Sequence, residues 1–245
     1  MSSLKHMPPE SILDLVRTKN HSMDTPRLVT YLNSYSYCLM RLRPELLHAF
    51  DEIHIDGIAL VLFLRLFGIV RVERRSFDMG SYAPHFFEKL LRVQRTVYFI
   101  GGEPGEAERA VGKFQEAFPG LRVAGCRNGF FSNDAERRKT LENICAIAPD
   151  YVVCGMGTPL QEIFLLDLRR QGWQGTGFTC GGFLHQSAGE LYYYPHWINR
   201  MNLRWLYRIY REPKLLYRYG WEYPKFVHWF LKDFVQWKRA QRRGM

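Results

Sequence analysis

Short apolar runs that end in glycine recur along the middle of the chain. The three clearest are TVYFIGG at 96–102, YVVCGMG at 151–157 and GTGFTCGG at 175–182. Runs of this length bounded by glycine are typical of buried strands. Helix-like stretches alternate with them, at 105–118, 134–148 and 159–171. This alternation of strand, glycine turn and helix predicts a Rossmann-like α/β fold, in which helices cover a parallel sheet.

The glycines at the ends of these strands indicate where a ligand would bind. In open parallel sheets, ligands bind at the carboxyl ends of the strands. We therefore expect three glycine-bearing ends to line one crevice: Gly101-Gly102, 155–157 and Gly181-Gly182.

A carboxylate precedes another apolar stretch nearer the N-terminus. Asp56 and Gly57 stand directly before the run that begins at Ile58. Asp is a preferred N-cap residue, so Asp56 could cap a helix that starts there. A carboxylate at a cleft could instead accept a proton from a substrate. The local pattern leaves both alternatives open.

From about Glu190 the sequence becomes aromatic and basic. This change predicts an α/β domain at 1–190 and a C-terminal appendage of two or three helices at 191–245. Five rings of the last stretch fall near one helical face: Phe226, Trp229, Phe230, Phe234 and Trp237. That pattern predicts an amphipathic helix at a membrane surface. The alternative is a helix packed on the α/β core or on another subunit.

Composition and charge narrow the choice of partners. The 245 residues are 47% hydrophobic and carry a formal net charge of +10. Residues 201–245 hold eleven Lys or Arg against three Asp or Glu, which favours phosphates, nucleic acid or an anionic membrane. The five cysteines form no C-x-x-C pair and read as free thiols of a reducing compartment. The N-terminus lacks a signal-peptide pattern, which predicts a cytoplasmic protein.

The segment GTPLQE at 157–162 is the most specific polar motif. Gly157, Thr158 and Glu162 follow an apolar strand, where free helix amides and polar side chains suit a phosphate or a sugar. The alternative is a plain capped helix start with Thr158 as N-cap and Pro159 next. Elsewhere, Gly101-Gly102 resembles a weak dinucleotide-binding turn, and Phe130 is a candidate to stack on a nucleotide base or to pack in the core.

Several chemistries find no motif in the sequence. It has no D-x-D, G-x-S-x-G, H-E-x-x-H or Walker pattern, and its histidines show no metal-ligand spacing. Two other classes stay open on the residues alone. One is a Rossmann-type NAD-dependent oxidoreductase that uses Gly101-Gly102, and the other is a nucleic-acid-binding protein that uses the basic tail.

Seven segments together resemble the WecG/TagA/CpsF glycosyltransferases (glycosyltransferase family 26), in the family's order. They are YLN (31–33), IDG (55–57), VYFIGGEPGEAERA (97–110), GFF (129–131), VVCGMGTPLQEIF (152–164), GGFLHQSAG (181–189) and RWLYRIYREPKLLYR (204–218). The resemblance implies inverting transfer of a sugar from a UDP-sugar to a lipid-diphosphate-linked sugar, without a metal or other cofactor. It also implies a peripheral enzyme at the cytoplasmic face of the plasma membrane, with no role for nucleic acid and with homo-oligomers possible.

The resemblance also assigns candidate residues. Asp56 matches the Asp proposed as the general base of the family. Substrate contacts are implied for Asn33, Arg75, Gln161, Arg208, Lys214 and Arg218, with Arg74 nearly as good a match as Arg75. Nucleotide contacts are expected from Gly101, Gly102, Phe130, Gly157, Thr158 and Glu162. On one helix Arg208, Arg211 and Arg218 would share a face, although Pro213 should kink or break it.

The chain departs from the family pattern at three places near the expected donor site. Tyr31 stands where the family has a threonine, and His185 stands where it has an aspartate. Tyr193-Tyr194-Pro195 replaces its Arg-Ala-Pro. These differences leave the donor sugar open: N-acetylmannosamine, its uronic acid or a related hexose.

Overall fold

The computed structural model describes residues 11–20, 27–193, 195, 197–198, 201, 203–211 and 213–243, with the backbone alone for 214–219. Its six strands are β1 Leu28–Leu32, β2 Glu52–Ile55, β3 Thr96–Gly101, β4 Arg122–Arg127, β5 Tyr151–Gly155 and β6 Thr176–Thr179. All pair in parallel, in the order β2-β1-β6-β5-β3-β4. The predicted Rossmann-like α/β fold is therefore confirmed.

Helices cover both faces of this sheet. They are α1 Ile12–Lys19, α2 Ser34–Met40, α3 Pro44–His48, α4 Ile58–Leu66, α5 Ala83–Val93, α6 Glu106–Ala117, α7 Asp134–Ile147, α8 Leu160–Arg170, α9 Phe183–Gly189, α10 Arg204–Arg211 and α11 Lys214–Arg243. The bounds predicted for α6, α7 and α8 are confirmed to within one residue, and Asn133 caps α7 by accepting the backbone N–H of Glu136.

The central strands are buried on both faces, as expected for a parallel sheet between two helical layers. Every residue of β1 is buried. On one face, Val29 and Phe99 pack with α5, α6 and α9. On the other face, Leu32 packs with α1, α2 and α4, while Val152 packs with α7 and α8.

The C-terminal helix α11 packs on the α/β body. Phe226 and Phe230 are fully buried among residues of α2 and α4, and Trp237 reaches α1. The indole of Trp237 donates to Asp14 at 2.7 Å. The expectation that these three rings enter a membrane boundary is therefore wrong, because they complete the apolar surface of the protein's own core. The alternative of a helix packed on the α/β core is confirmed.

A largely buried ion pair holds the same helix, with each side chain 11% exposed. Arg41 Nε donates to Asp233 Oδ2 at 2.8 Å and Arg41 Nη2 donates to Asp233 Oδ1 at 2.5 Å. The Tyr37 hydroxyl donates a further hydrogen bond to Asp233 Oδ2 at 2.9 Å. No helix in the described part of the chain is long and apolar enough to cross a membrane.

Pro213 separates the last two helices. Helix α10 ends at Arg211 and α11 begins at Lys214, so the predicted break is confirmed. Arg208 and Arg218 consequently lie on different helices and cannot share one helical face.

Candidate active site

A cavity of about 450 Å³ opens at the carboxyl ends of four adjacent strands. Its wall includes Asn33 after β1, Asp56 and Gly57 after β2, Gly155 and Gly157 at the end of β5, and residues 180–182 after β6. Two of the three glycine-bearing ends therefore meet in one crevice. Gly101-Gly102, at the end of β3, lies beside that crevice rather than on its wall, because β3 is the next strand outward.

Asp56 is held from both sides by backbone. Its N–H donates to the carbonyl of Leu32 at 2.8 Å, which fixes it to the end of β1. The segment at Arg74 pairs with Ile55 as an isolated parallel bridge, and Arg75 N–H donates to the Ile55 carbonyl at 2.8 Å. Asp56 thus stands between β1 and this added edge, with its carboxylate on the cavity.

Gly57, not Asp56, is the N-cap of α4, and no side chain caps that helix. The capping alternative for Asp56 is therefore wrong. Thr158 is not a cap either, since the N-cap of α8 is Pro159 and that helix also has no side-chain cap. The side chains of Asp56 and Thr158 line the cavity instead of capping a helix.

The surroundings of Asp56 make it a weaker acid than a solvated carboxyl. Burial raises its pKa to about 7, and the negative charge of Asp78 acts in the same direction. Arg204, Arg74 and Arg208 oppose that rise. A carboxylate with a pKa near neutrality is suited to general-base catalysis, because it holds a transferred proton firmly yet is ionised at the working pH.

Three cationic side chains line the cavity with Asp56: Arg74, Arg204 and Arg208. Of the two neighbouring arginines, the structure puts Arg74 on the wall, whereas Arg75 is exposed and lies outside it. Arg208 is on the wall as expected. The side chains of Lys214 and Arg218 lie outside the described residues.

Gln161 lines the cavity but uses its amide to hold the wall together. Its oxygen accepts the backbone N–H of Gly181 at 3.1 Å, and its nitrogen donates to Thr158 Oγ1 at 3.3 Å and to Glu162 Oε1 at 3.0 Å. Glu162 is fully buried behind the wall, where Thr30 and Thr158 also donate to Oε1. The pair thereby ties the start of α8 to the turn after β6.

Asn33 combines a structural role with a place on the wall. Its Oδ1 accepts the backbone N–H groups of Tyr35 and Ser36, each at 3.0 Å, and so caps α2. Its own N–H donates to Ser36 Oγ at 2.8 Å, which completes a capping box. The amide nitrogen of Asn33 is the group left to face a ligand.

The turn after β3 has a different chemistry from a dinucleotide site. Glu106 Oε2 accepts the Glu103 N–H at 2.8 Å, and Glu106 Oε1 bonds His185 Nδ1 at 2.6 Å. This carboxylate occupies the start of α6, where a dinucleotide-binding fold places a pyrophosphate. Phe130, 58% exposed, lies beyond the wall, and its stacking on a base stays a prediction.

The sequence did not single out Asp78, Arg204, Glu222 and Tyr223, which also line the cavity. Asp78 stands in a loop without a recognisable motif. The sequence did contain a signal for Arg204, because a residue four positions before Arg208 faces the same way on a helix. Glu222 and Tyr223 reach the cavity because α11 crosses it after Pro213.

Within the described residues, no group of three or more His, Cys, Asp or Glu side chains is arranged to hold a metal ion. The cavity instead combines one carboxylate of raised pKa with guanidinium groups at the carboxyl ends of four parallel strands. A base beside fixed cations suits a reaction that removes a proton and develops negative charge on a leaving group.

Comparison with known proteins identifies the class. The sequence model of the Glycosyl transferase WecG/TagA/CpsF family matches residues 2–240. The chain is 32% identical over 206 residues, 84% of its length and 86% of the relative's, to the UDP-Gal:alpha-D-GlcNAc-diphosphoundecaprenol beta-1,4-galactosyltransferase of Shigella boydii. It is 27% identical over 183 residues, 74% of its length and 68% of the relative's, to the N-acetylglucosaminyldiphosphoundecaprenol N-acetyl-beta-D-mannosaminyltransferase of Bacillus spizizenii.

The fold and the cavity thus belong to a glycosyltransferase. The chain is a member of the WecG/TagA/CpsF family, and the resemblance read from its seven segments is confirmed. The NAD-dependent oxidoreductase and nucleic-acid-binding alternatives are set aside.

Proposed function

We propose that the chain is an inverting glycosyltransferase that moves a hexose from a UDP-sugar to a sugar carried on polyprenyl diphosphate, in bacterial surface polysaccharide synthesis. The observation that carries this proposal is Asp56, a carboxyl of raised pKa that shares one cavity with Arg74 and Arg208. The named relatives support the substrate classes, since both act on a diphosphoundecaprenol-linked sugar.

The proposed step is a single displacement. A hydroxyl of the acceptor sugar attacks the anomeric carbon of the donor, and Asp56 takes the hydroxyl proton as the new C–O bond forms. The bond from the anomeric carbon to UDP breaks on the opposite face, and UDP leaves with the electron pair. A positioned general base of this kind contributes about 10²–10⁴-fold to the rate.

The departing UDP gains negative charge and needs a cationic partner. We assign that role to the guanidinium groups of Arg74 and Arg208, which line the cavity. Asn33 and Thr158 supply polar atoms for the sugars, and Gln161 holds the cavity wall beside them. On this proposal no divalent metal is needed at the diphosphate.

UDP-galactose is the donor we expect. The galactosyltransferase relative shares 32% identity with the chain and the mannosaminyltransferase 27%. Tyr31 adds a physical reason, because its buried ring forms part of the cavity wall and packs on His54 with ring centroids 5.5 Å apart. A bulky ring there reduces the room for an N-acetyl group.

A lipid-linked acceptor requires the cavity to open towards a membrane. Large apolar side chains are exposed near the cavity on α10 and at the start of α11: Trp205, Leu206, Tyr210 and Trp221. On the outer faces of α4 and α11, Leu66 and Val235 are exposed as well. We propose that these residues contact the cytoplasmic face of the plasma membrane, while basic residues of α11 meet anionic headgroups.

The test is product mass. Purified protein is mixed with short-chain lipid-diphosphate GlcNAc and one of UDP-galactose, UDP-glucose, UDP-N-acetylmannosamine or UDP-N-acetylglucosamine, with EDTA present. A product heavier by one hexose with UDP-galactose supports the full proposal. Transfer of another sugar would correct the donor, and transfer only without EDTA would overturn metal independence. Absence of transfer with every donor, from folded protein on anionic vesicles, would contradict the reaction itself.

A further inference from the structure

Asp78 is fixed by its own turn. Ser76 Oγ donates to its Oδ2 at 2.5 Å, and the Gly80 N–H donates to its Oδ1 at 2.8 Å. The carbonyl of Asp78 also accepts the N–H groups of Ser81 and Ala83, each at 3.1 Å. Asp78, only 9% exposed, therefore presents a carboxylate of fixed position at the cavity.

Arg204, which lies 126 residues away in the chain, binds this carboxylate. Its Nη1 contacts Asp78 Oδ2 and donates to Ser76 Oγ at 3.0 Å, while Nη2 donates to Asp78 Oδ1 at 3.2 Å. Such a bidentate contact fixes the orientation of the guanidinium group as well as its position. Arg204 is 8% exposed, although it is the first residue of a surface helix.

Helix α10 has one deeply buried attachment, Arg204, and a more exposed ion pair between Arg211 and Glu190 at its other end. Among the described residues of α10, Arg204 is the one that is buried, while Trp205, Leu206 and Tyr210 are exposed. An eight-residue helix has little stability of its own in water. Its orientation therefore depends on what holds its ends.

The attachment matters because of what else α10 carries. Arg208 follows Arg204 by four residues and projects from the same face. Both line the cavity with Asp56. Rotation or fraying of α10 would move Arg208 away from the place where the leaving diphosphate must lie.

We propose that Asp78 and Arg204 form a buried latch that seats helix α10 on the cavity and so places Arg208 opposite Asp56. Both are positioning residues for the transfer. This inference rests on the proposed function, because it gives Arg208 and Asp56 the roles assigned there.

The ionisation of Asp56 reports whether the latch is closed. The charged and titratable groups that face it are Asp78 and Arg74 from the loop after α4, Arg204 and Arg208 from α10, and Tyr31 from β1. Glu222 and Tyr223 of α11 share the cavity. Arg204→Gln opens the latch, which removes the cation of Arg204 and displaces that of Arg208. Because both cations lower the pKa of Asp56, that pKa should rise. The acid limb of the pH profile of kcat/KM should therefore move to higher pH.

The experiment is a double-mutant cycle with D78N, R204Q and D78N/R204Q, together with R204K. Transfer is measured as kcat/KM, and hydrogen exchange of residues 204–211 reports the seating of α10. Each single variant should lose on the order of 100-fold in kcat/KM, because misplacing a catalytic group by about 1 Å costs that much. The double variant should lose little more, R204K should recover part of the loss, and exchange of α10 should rise in both single variants.

The matched control is D233N, which breaks a comparably buried two-pronged ion pair with Arg41 outside the cavity wall. It should lower the melting temperature without moving the acid limb or the exchange of α10. An equal shift in D233N, or additive losses with unchanged α10 exchange, would overturn the latch. If the unmodified enzyme transfers no sugar, the proposed function fails, and the exchange of α10 in R204Q and D78N still decides whether the latch exists.

Discussion

Gly57 and Asn33 lie so close that a Cβ atom on Gly57 would stand 3.2 Å from the Cβ of Asn33. The backbone of Gly57 has a φ of −117°, which any residue can adopt. The glycine is thus needed for space and not for conformation. It lets the ends of β1 and β2 approach, and that approach places Asn33 and Asp56 on one wall.

Gly57→Ala should therefore loosen this corner. We expect a loss of about 1–3 kcal/mol in the free energy of unfolding, as for other overpacked sites, and a lower kcat. The control is Gly112→Ala in α6, where a Cβ would meet nothing within 4 Å. Alanine there should stabilise the helix by about 0.5–1 kcal/mol. Urea unfolding of both variants measures the difference, and equal effects would contradict the packing argument.

Replacing the base should separate activity from stability. Asp56→Asn should lower kcat by about 10²–10⁴-fold, because the acceptor hydroxyl loses its proton acceptor. The melting temperature at pH 8 should stay the same or rise, since Asn removes a charge from a partly buried site. Product formation and thermal unfolding are measured on the same preparation. Near-normal turnover in folded Asp56→Asn would remove Asp56 from the mechanism.

The raised pKa of Asp56 sets two pH dependences of opposite sign. Activity requires the ionised carboxylate, so kcat/KM should rise with pH and level off above about 7. Stability should change the other way. The folded protein binds the proton more tightly than the unfolded chain, so Asp56 contributes stability below about 3.8 that is lost as the pH rises towards about 7. A pH–rate profile and unfolding curves for Asp56→Asn and the parent across pH 4–8 test both.

The two neighbouring arginines should differ in effect. Arg74→Gln removes a cation from the cavity wall and should reduce kcat/KM on the order of 10–100-fold, by loss of charge stabilisation on the leaving group. Arg75→Gln changes an exposed residue outside the wall and should cost less. Steady-state kinetics with UDP-galactose compare them. A larger loss in Arg75→Gln would indicate that Arg75, and not Arg74, is the arginine expected from the family.

Neighbouring residues of α11 should separate core packing from membrane contact. Phe230 is fully buried, so Phe230→Ala should cost about 3–5 kcal/mol of stability. Leu231 and Val235 are 40% and 46% exposed, and Leu231→Ser with Val235→Ser should leave the melting temperature nearly unchanged. The paired serine variant should sediment less with phosphatidylglycerol vesicles than the parent does. Unchanged sedimentation would place the membrane contact elsewhere.

Local sequence determined the repeating units of the fold. Glycine-bounded apolar runs gave β3, β5 and β6, and the helices between them follow from signals such as Asn133 before α7. No glycine stands beside β1, and the runs of β2 and β4 have glycines beside them but are interrupted by charged or polar residues, such as His54 and Arg122. Their pairing energy comes from neighbours distant in sequence, such as Val29 beside Phe178, and a local pattern does not contain such contacts.

The sequence by itself determined the enzyme class and several positions on the cavity, because Asp56, Thr158 and Gln161 closely follow strands whose ends any parallel sheet brings together. Only the tertiary structure decided which cations join them. Arg74 rather than Arg75 faces inward because the loop pairs with Ile55 in one register. Likewise, Phe226 and Phe230 are core rather than membrane residues because α2 and α4 present an apolar surface to them. The amphipathic pattern of a helix predicts that its apolar face will be covered. The rest of the fold determines whether protein or membrane covers it.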